Sequence, residues 1–148
     1  LRRYPRDLWL KLIEKTLAEG IYQPLVICDA DLAEAWGLHE ECKRLKIPLF
    51  AKGSLREFIT LVSRAGRALA NDSGPGHVAV ACGVRTDFIF GPGCVGDWFP
   101  YRDTQHNYHR VEVDCRVQGP PHLENFRFCT VDKCDHHSCL RKLTVTLN

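Results

Sequence analysis

The stretch "NDSGPGHVAVACGV" (residues 71–84) sets two glycines and a proline directly before a small, alanine-rich apolar run. Polar turn residues that open into such a run predict a loop followed by a helix, and Pro75 suits the first helical turn. The amino end of a helix exposes unpaired N–H groups and about half a positive charge, so it is a natural seat for phosphate. The stretch therefore predicts a phosphate site at the start of a helix.

The side chains of this stretch include several that suit a phosphate and one that does not. Gly74 and Gly76 have no side chain that would hold a diphosphate off the backbone. Ser73 can cap the helix or donate a hydroxyl, and His77 can add a hydrogen bond or a charge. Asp72 would repel a phosphate, so its carboxylate fits better with the hydroxyl groups of a sugar.

A plainer interpretation of the same residues is a capped turn. Asn71, Asp72 and Ser73 all belong to residue types that cap helices, and glycines are common in turns. Short glycine-rich turns are weakly specific. The residues alone therefore leave the phosphate site and the capped turn equally open.

Outward from this stretch, short apolar runs alternate with helical patterns. Residues 6–19 have helical periodicity, and Asp31 can cap a second helix that runs to about Leu45. Ser54 and Glu57 form a capping box for a third helix. The predicted strands are 24–28, 47–51, 67–70, 85–90 and 108–113. This alternation predicts a parallel sheet covered by helices on both faces, which binds ligands at the carboxyl ends of its strands.

The composition narrows the class of protein. The chain has 148 residues, 45% apolar and 26% charged, which is an ordinary balance for one globular domain. A formal net charge of +2 is too small to indicate nucleic acid as a partner. No apolar run reaches transmembrane length, and the residues after Leu1 do not have the charged-then-apolar layout of a signal peptide, so we expect a cytoplasmic location. The chain contains no methionine and begins at Leu1, from which we expect a piece of a longer protein.

Eight cysteines are many for this length, and the last third of the chain holds four of them. Cys115, Cys129, Cys134 and Cys139 can supply four ligands to a structural zinc ion, although their spacing is wider than the usual C-x2-C pairs. A disulfide is disfavoured in a reducing compartment. A third interpretation is reduced cysteines that hold the tail by packing. The histidines near these cysteines are His122, His136 and His137.

The segment "ALANDSGPGHVAVACGVRTDFIFGPG" (68–93) closely resembles the donor-binding signature of glycosyltransferase family 9, the heptosyltransferases of the lipopolysaccharide core. That signature reads N-D-T/S-G-P-x-H-x-A-A-A-x-G-V-P before an apolar strand ending in F-G-P, and Arg85 departs from its last proline. The resemblance extends over nearly the whole chain, through "RRYPRDLWLKLI" (2–13), "GSLREFITLVSRAGRALA" (53–70) and "CTVDKCDHHSCL" (129–140).

The resemblance implies a three-layer, Rossmann-like α/β domain with a parallel sheet, the C-terminal half of a GT-B glycosyltransferase. Residues 1–114 would form the nucleotide-sugar-binding domain without its first strand, and 115–148 a cysteine-rich tail packed on it. The acceptor half would carry the aspartate that serves heptosyltransferases as general base. No catalytic residue is therefore expected in this chain, and the chain alone is expected to be inactive.

The resemblance also implies roles for the residues of the opening stretch. The backbone from Ser73 to Gly76 would hold the donor diphosphate with His77 beside it, and Asp72 would contact the donor sugar. Arg2 falls near the family's phosphate-binding lysine. Glu34 is the candidate for the acidic residue that meets the nucleotide ribose, with Asp31 as its rival; a helix cap is the plainer role for either.

The implied donor is a nucleotide-diphospho-sugar of the ADP-heptose type, and the implied acceptor is the lipopolysaccharide core, bound through the other half. The full-length enzyme could then lie at the periphery of the inner membrane. No cofactor is expected for transfer. A different class of function stays open beside this one, namely a non-catalytic module, nucleotide-binding or metal-stabilised, that docks on a partner.

Overall fold

The computed structural model describes residues 3–101, 105–115, 117–118, 127–129, 134 and 136–147. The chain forms two compact units, one of Arg6–Phe58 and the other of Leu1–Pro5 with Ile59–Asn148. In the described residues no helix is both long and apolar enough to span a bilayer. The elements, numbered along the chain, are α1 (Arg6–Glu19), β1 (Val26–Ile27), α2 (Ala30–Ala35), α3 (Leu38–Leu45), β2 (Leu49–Phe50), α4 (Leu55–Val62), β3 (Ala68–Asn71), α5 (Gly74–Ala81), β4 (Thr86–Ile89), α6 (Val95–Trp98), β5 (Asn107–His109), β6 (Val117–Gln118), β7 (Arg127–Phe128) and α7 (Ser138–Arg141).

The unit Arg6–Phe58 contains a short parallel sheet of β1 and β2, with Val26 opposite Leu49. The first helix, α1, has the bounds that its periodicity predicts. It stops before Gly20, whose φ of 68° lies in the left-handed region that glycine adopts without strain.

The helix predicted from Asp31 to about Leu45 is in fact two helices, α2 and α3. The break falls at Gly37, whose φ of 60° is also left-handed. The capping residue is Asp29, whose carboxylate accepts a hydrogen bond from the N–H of Leu32 at 2.7 Å. The prediction that Asp31 caps this helix is therefore wrong, because Asp31 lies exposed in the first turn of α2.

The fourth helix, α4, begins with the predicted capping box. Glu57 Oε2 accepts from the N–H of Ser54 at 2.7 Å, and Ser54 Oγ accepts from the N–H of Glu57 at 3.3 Å. The hydrogen bonds from the backbone and hydroxyl of Ser54 lower the pKa of Glu57. The helical pattern predicts that Leu55 and Ile59 face inward, but they are 68% and 40% exposed. Only Val62, at the end of the helix, is buried.

In the second unit β3, β4 and β5 form a parallel sheet in that order. The central strand β4 is buried along its whole length. The helix α5 follows β3 and contacts both β3 and β4. The largest fully buried side chains of this unit belong to Phe88, Phe90, Ile89 and Leu140. The segment that follows β3 therefore lies beside the most deeply buried part of the unit.

The strands β1 to β5 pair in parallel, as predicted, but they form two hydrogen-bonded sheets where one continuous sheet was expected. The strands β6 and β7 form a separate antiparallel pair. Among the described residues no pairing joins a strand of the first sheet to a strand of the second. Alternation of strands and helices predicts the parallel pairing, but it does not determine whether all the strands join into one continuous sheet.

Two long-range contacts fasten the ends of the second unit. Tyr4 is buried; its N–H donates to Asn71 Oδ1 at 2.8 Å and its hydroxyl donates to the carbonyl of Leu143 at 3.1 Å. Farther along the tail, Leu140 of α7 packs on Gly91, where an added Cβ would lie 2.9 Å from Leu140 Cδ2. The end of the tail thus packs on the segment that follows β4.

Candidate functional site

The site lies where β3 turns into α5. The N–H of Asp72 still continues the ladder by donating to the carbonyl of Ile89 at 3.0 Å, and Ser73 then takes the extended N-cap conformation. Helix α5 begins at Gly74, at the carboxyl end of β3. The sequence-based prediction of a strand, a turn and a helix in this stretch is confirmed, and so is its position at the ligand-binding edge of a parallel sheet.

The N-cap residue leaves the amino end of α5 open. Ser73 makes no side-chain hydrogen bond to the helix, and its hydroxyl donates backwards to the carbonyl of Asn71 at 3.2 Å. Ser73, Gly74 and Pro75 are all exposed. A serine can cap a helix through its hydroxyl, but here it does not. The amino end therefore keeps its positive potential facing solvent.

The two glycines of the turn serve different purposes. A Cβ on Gly74 would meet no atom within 4 Å, so the absence of a side chain leaves open space beside the first turn of α5. A Cβ on Gly76 would overlap Phe88 Cε1, lie 2.9 Å from Phe88 Cζ and lie 3.1 Å from Ala70 Cβ. Gly76 is thus explained by the close approach of the helix to the sheet. Only Gly74 has the geometry predicted for both glycines, that of backbone left accessible to a ligand.

The carboxylate of Asp72 is buried, with 4% of the residue exposed. Its Oδ2 occupies the space that a Cβ on Gly93 would fill. The glycine in the loop after β4 therefore makes room for this carboxylate. A contact between Asp72 and a donor sugar stays a prediction. The Asp72 side chain would make that contact while it packs against the loop at Gly93.

His77 is half-buried in the first turn of α5. Its Nδ1 lies 2.6 Å from the hydroxyl of Tyr101, and its ring centroid lies 5.1 Å from that of Phe88. Sequence reasoning missed Tyr101, although three aromatic residues, Trp98, Phe99 and Tyr101, follow the glycines of the segment after β4. The structure thus gives His77 a partner that the motif does not contain.

A model of glycosyltransferase family 9 (heptosyltransferase) matches residues 2–118. The chain belongs to glycosyltransferase family 9. No curated protein sequence matches it.

Two solved structures share the fold of this family 9 chain. One is the E. coli heptosyltransferase WaaC with ADP-2-deoxy-2-fluoro heptose, with a TM-score of 0.61 and 19% identity over 75% of this chain and 33% of that one. The other is the E. coli ADP-heptose lps heptosyltransferase II, with a TM-score of 0.64 and 21% identity over 76% of this chain and 35% of that one. The chain spans about a third of the length of each. The predicted α/β class, with the parallel strands of a GT-B heptosyltransferase, is confirmed.

The remaining predicted donor residues are Glu34 and Arg2. Glu34 is exposed near the end of α2, in the unit Arg6–Phe58, whereas the residues from Asp72 to His77 belong to the other unit. Arg2 lies outside the described residues. The predicted roles of Glu34 and Arg2 in binding the donor therefore stay predictions.

A buried ionic cluster supports the sheet of the second unit, and sequence reasoning missed it. Asp87 is 1% exposed in β4; its Oδ2 accepts from Arg67 Nε at 2.7 Å and its Oδ1 lies 3.1 Å from His109 Nε2. Burial opposes ionisation of Asp87, but the hydrogen bonds from His109 and Arg67 outweigh it and hold its pKa below the usual value. The sequence did contain a signal for this cluster, namely the carboxylate of Asp87 at the start of the apolar run "DFIF" (87–90). A charge that is buried with such a strand requires partners of opposite charge or hydrogen-bond donors. The cluster ties β5 and the start of β3 to the central strand.

The four tail cysteines predicted as zinc ligands have different surroundings. Cys115 is exposed, Cys129 and Cys134 are half-buried and Cys139 is buried. The Sγ of Cys134 accepts from the N–H of His137 at 3.3 Å. The residues that the structure describes include no group of three or more histidine, cysteine or acidic side chains placed to hold a metal.

Zinc binding by the tail stays a prediction, and His122 lies outside the described residues. If the four cysteines bind zinc, elemental analysis of the purified protein should find about one zinc ion per chain. Metal-free protein with unchanged melting behaviour after chelation would leave packing as the role of these cysteines.

Proposed function

We propose that this family 9 chain is the donor-binding half of an inverting glycosyltransferase of lipopolysaccharide core synthesis, and that its donor is a nucleoside-diphosphate heptose. The observation that carries the proposal is the amino end of α5, which follows β3 directly and is neither closed by Ser73 nor covered at Gly74. Family membership supports the reaction class. The WaaC structure with ADP-2-deoxy-2-fluoro heptose supports the chemical type of the donor.

The chemistry proposed for this site is stabilisation of the leaving group. In an inverting transfer an acceptor hydroxyl attacks the anomeric carbon while the bond from that carbon to the diphosphate breaks, so negative charge grows on the departing diphosphate. The N–H groups of Ser73 and Gly74, the positive end of the α5 dipole and the ring of His77 would stabilise that charge. Pro75 has no N–H to offer, and the N–H of Gly76 donates to the carbonyl of Ser73 at 3.1 Å. The general base and the lipopolysaccharide acceptor would come to the reaction through the acceptor-binding half, and the scheme needs no metal.

The most direct test is a titration of the isotopically labelled chain with ADP, followed by NMR chemical shifts. We expect the largest changes at the amides of Ser73, Gly74, Gly76 and His77, and much smaller changes with adenosine, which lacks the diphosphate. Chemical shifts report binding in the millimolar range, so a weak site is still detected. No change at these amides with ADP would contradict the proposal and favour a non-catalytic module that docks on a partner.

A matched pair of glycine variants sharpens this test. An added Cβ meets no atom within 4 Å at either Gly74 or Gly66, so both positions have open space where a side chain would begin. Gly74→Val should weaken ADP binding at least about tenfold, because the valine would fill the space beside the helix end where a phosphate would lie. Gly66→Val should leave binding unchanged. Equal affinities for the two variants would place ADP elsewhere.

The role of Asp72 is tested by comparing two ligands. Asp72→Asn should leave the affinity for ADP unchanged and weaken that for ADP-heptose, since the proposed partner of the carboxylate is the sugar. Isothermal titration calorimetry measures both affinities. If the variant binds both ligands like the wild type and only melts at a lower temperature, the role of Asp72 is to seat the loop at Gly93.

A further inference from the structure

The hydroxyl of Tyr101 is held in place by its neighbours. Its ring stacks on Phe88 with centroids 5.8 Å apart and an interplanar angle of 25°. It also meets the edge of Phe99 at 5.3 Å and the ring of His106 at 5.3 Å. Phe88 is fully buried in the central strand β4. Because the ring of Tyr101 packs on Phe88, the core of the unit helps to fix the position of the Tyr101 hydroxyl.

This hydroxyl makes a short hydrogen bond to His77 Nδ1, at 2.6 Å. One of the two groups must donate. A phenol is a far stronger acid than the N–H of a neutral imidazole, so the phenol is the natural donor and the ring nitrogen the natural acceptor. Burial raises the pKa of Tyr101, which keeps its proton in place. When Nδ1 accepts, the proton of the neutral ring resides on Nε2.

We propose that Tyr101 is a positioning residue for His77: its hydroxyl donates to Nδ1 and so holds the imidazole in the tautomer whose Nε2–H can donate to a diphosphate oxygen at the amino end of α5. The role of the diphosphate in this inference rests on the proposed function. The opposite neutral tautomer would present the Nε2 lone pair to an anion, which is repulsive. Tyr101 therefore prepares His77 as a donor without requiring the ring to carry a full charge.

The first measurement is the tautomer of His77 in the wild-type chain, from long-range ¹H–¹⁵N NMR correlations at about pH 8, where an ordinary imidazole is neutral. We expect a ring protonated predominantly at Nε2. A ring protonated at Nδ1 would overturn the proposal. This measurement needs no variant, so a variant that fails to fold cannot obscure it.

The second measurement uses two tyrosine variants from one aromatic cluster. Tyr101→Phe removes the hydroxyl that contacts His77, and Tyr108→Phe removes a hydroxyl from a ring that packs on Phe90 and Phe99. Tyr101→Phe should raise the population of the Nδ1–H tautomer, whereas Tyr108→Phe should leave it as in the wild type. An unchanged tautomer in Tyr101→Phe would overturn the proposal.

The third measurement is ADP affinity, by the same NMR titration. Tyr101→Phe should weaken ADP about fivefold, the scale of one neutral hydrogen bond, and Tyr108→Phe should not. In a His77→Ala background Tyr101→Phe should have no further effect, which distinguishes positioning of His77 from a general loss of packing. Equal losses with and without His77 would overturn the proposal. If the wild type shows the Nε2–H tautomer but no ADP binding, the positioning of His77 is supported and the proposed function is contradicted.

Discussion

Two of the turns that lead from a parallel strand into a helix leave the amino end of that helix in opposite states. After β1, the Asp29 carboxylate accepts the N–H of Leu32 at 2.7 Å and closes the amino end of α2. After β3, the Ser73 hydroxyl donates back to Asn71 and leaves the amino end of α5 open. Both N-cap residues are extended, with ψ of 159° at Asp29 and 164° at Ser73. The backbone conformation of the two N-cap residues is therefore alike, and the difference lies in the hydrogen bond that each side chain makes.

A third turn shows that residue type does not explain this difference. Ser54 precedes α4, and its hydroxyl accepts the N–H of Glu57 at 3.3 Å. Ser73 has the same side chain, but its hydroxyl accepts no hydrogen bond from the backbone of α5. A closed helix end needs nothing further, whereas an open one has N–H groups and a positive potential available to an anion.

The largest expected effect is on stability, and it distinguishes Gly76, which packs against the sheet, from Gly74, which leaves the helix end accessible. Gly76→Val should lower the free energy of unfolding by about 3 kcal/mol, because the new side chain must displace Phe88 in a fully packed core. Urea denaturation followed by fluorescence and circular dichroism measures this. Gly74→Val is the control, with a change of less than about 1 kcal/mol. Similar losses in both variants would mean that the two glycines share one role.

The next effect compares the two N-cap residues directly. Asp29→Ala should cost about 1 kcal/mol of stability because it removes a cap hydrogen bond. Ser73→Ala removes no bond to the helix and should cost well under half of that. Denaturant titration of both variants under one condition gives the answer. A loss of about 1 kcal/mol at Ser73 would show that its hydroxyl caps α5 in solution.

A smaller effect is expected when the N-cap residue of α5 is replaced by aspartate, the residue type that caps α2. Ser73→Asp should stabilise the chain by about 0.5 kcal/mol, since a carboxylate can cap α5 and interact with its dipole. The same carboxylate should abolish measurable ADP binding by occupying and repelling the phosphate position. Ser73→Asn, which caps without a charge, separates the two effects. ADP binding that survives in Ser73→Asp would argue against a phosphate at this helix end.

The smallest effect concerns pH at the capping box. The folded-state pKa of Glu57 is lowered, so the chain is stabilised above the unfolded value of about 4.3 and loses this contribution as pH falls through the folded value. Glu57→Gln keeps an acceptor at this position and should remove this part of the acid dependence. Thermal melts of both proteins between about pH 6 and pH 3 make the comparison. Parallel curves would show that the box does not hold in solution.

The sequence predicts those features that depend on neighbours along the chain. The bounds of α1, the capping box of α4 and the β3–α5 turn all follow from local residue patterns. Capping by Asp29, two residues before the predicted Asp31, shows the limit of such patterns, since both positions offer the same side chain.

Features that depend on contacts across the fold could not be predicted. Gly74 and Gly76 look alike in the motif, and only the approach of Phe88 separates them. The partner of His77 lies 24 residues away along the chain, with no periodicity to connect the two. The division of β1 to β5 between two sheets could not be predicted either, because alternation of helices and strands does not determine which strands are joined by hydrogen bonds.

The hydrogen bonds of Tyr4 have a consequence for the order in which the protein folds. This residue joins Asn71, 67 positions away, to Leu143, 139 positions away. Closing loops of such length costs conformational entropy, and the second hydrogen bond can form only after Leu143 has left the ribosome. During synthesis Tyr4 can therefore bond to Asn71 before it bonds to Leu143, and a nascent chain halted before Leu143 would hold the end of β3 through the first of these hydrogen bonds alone.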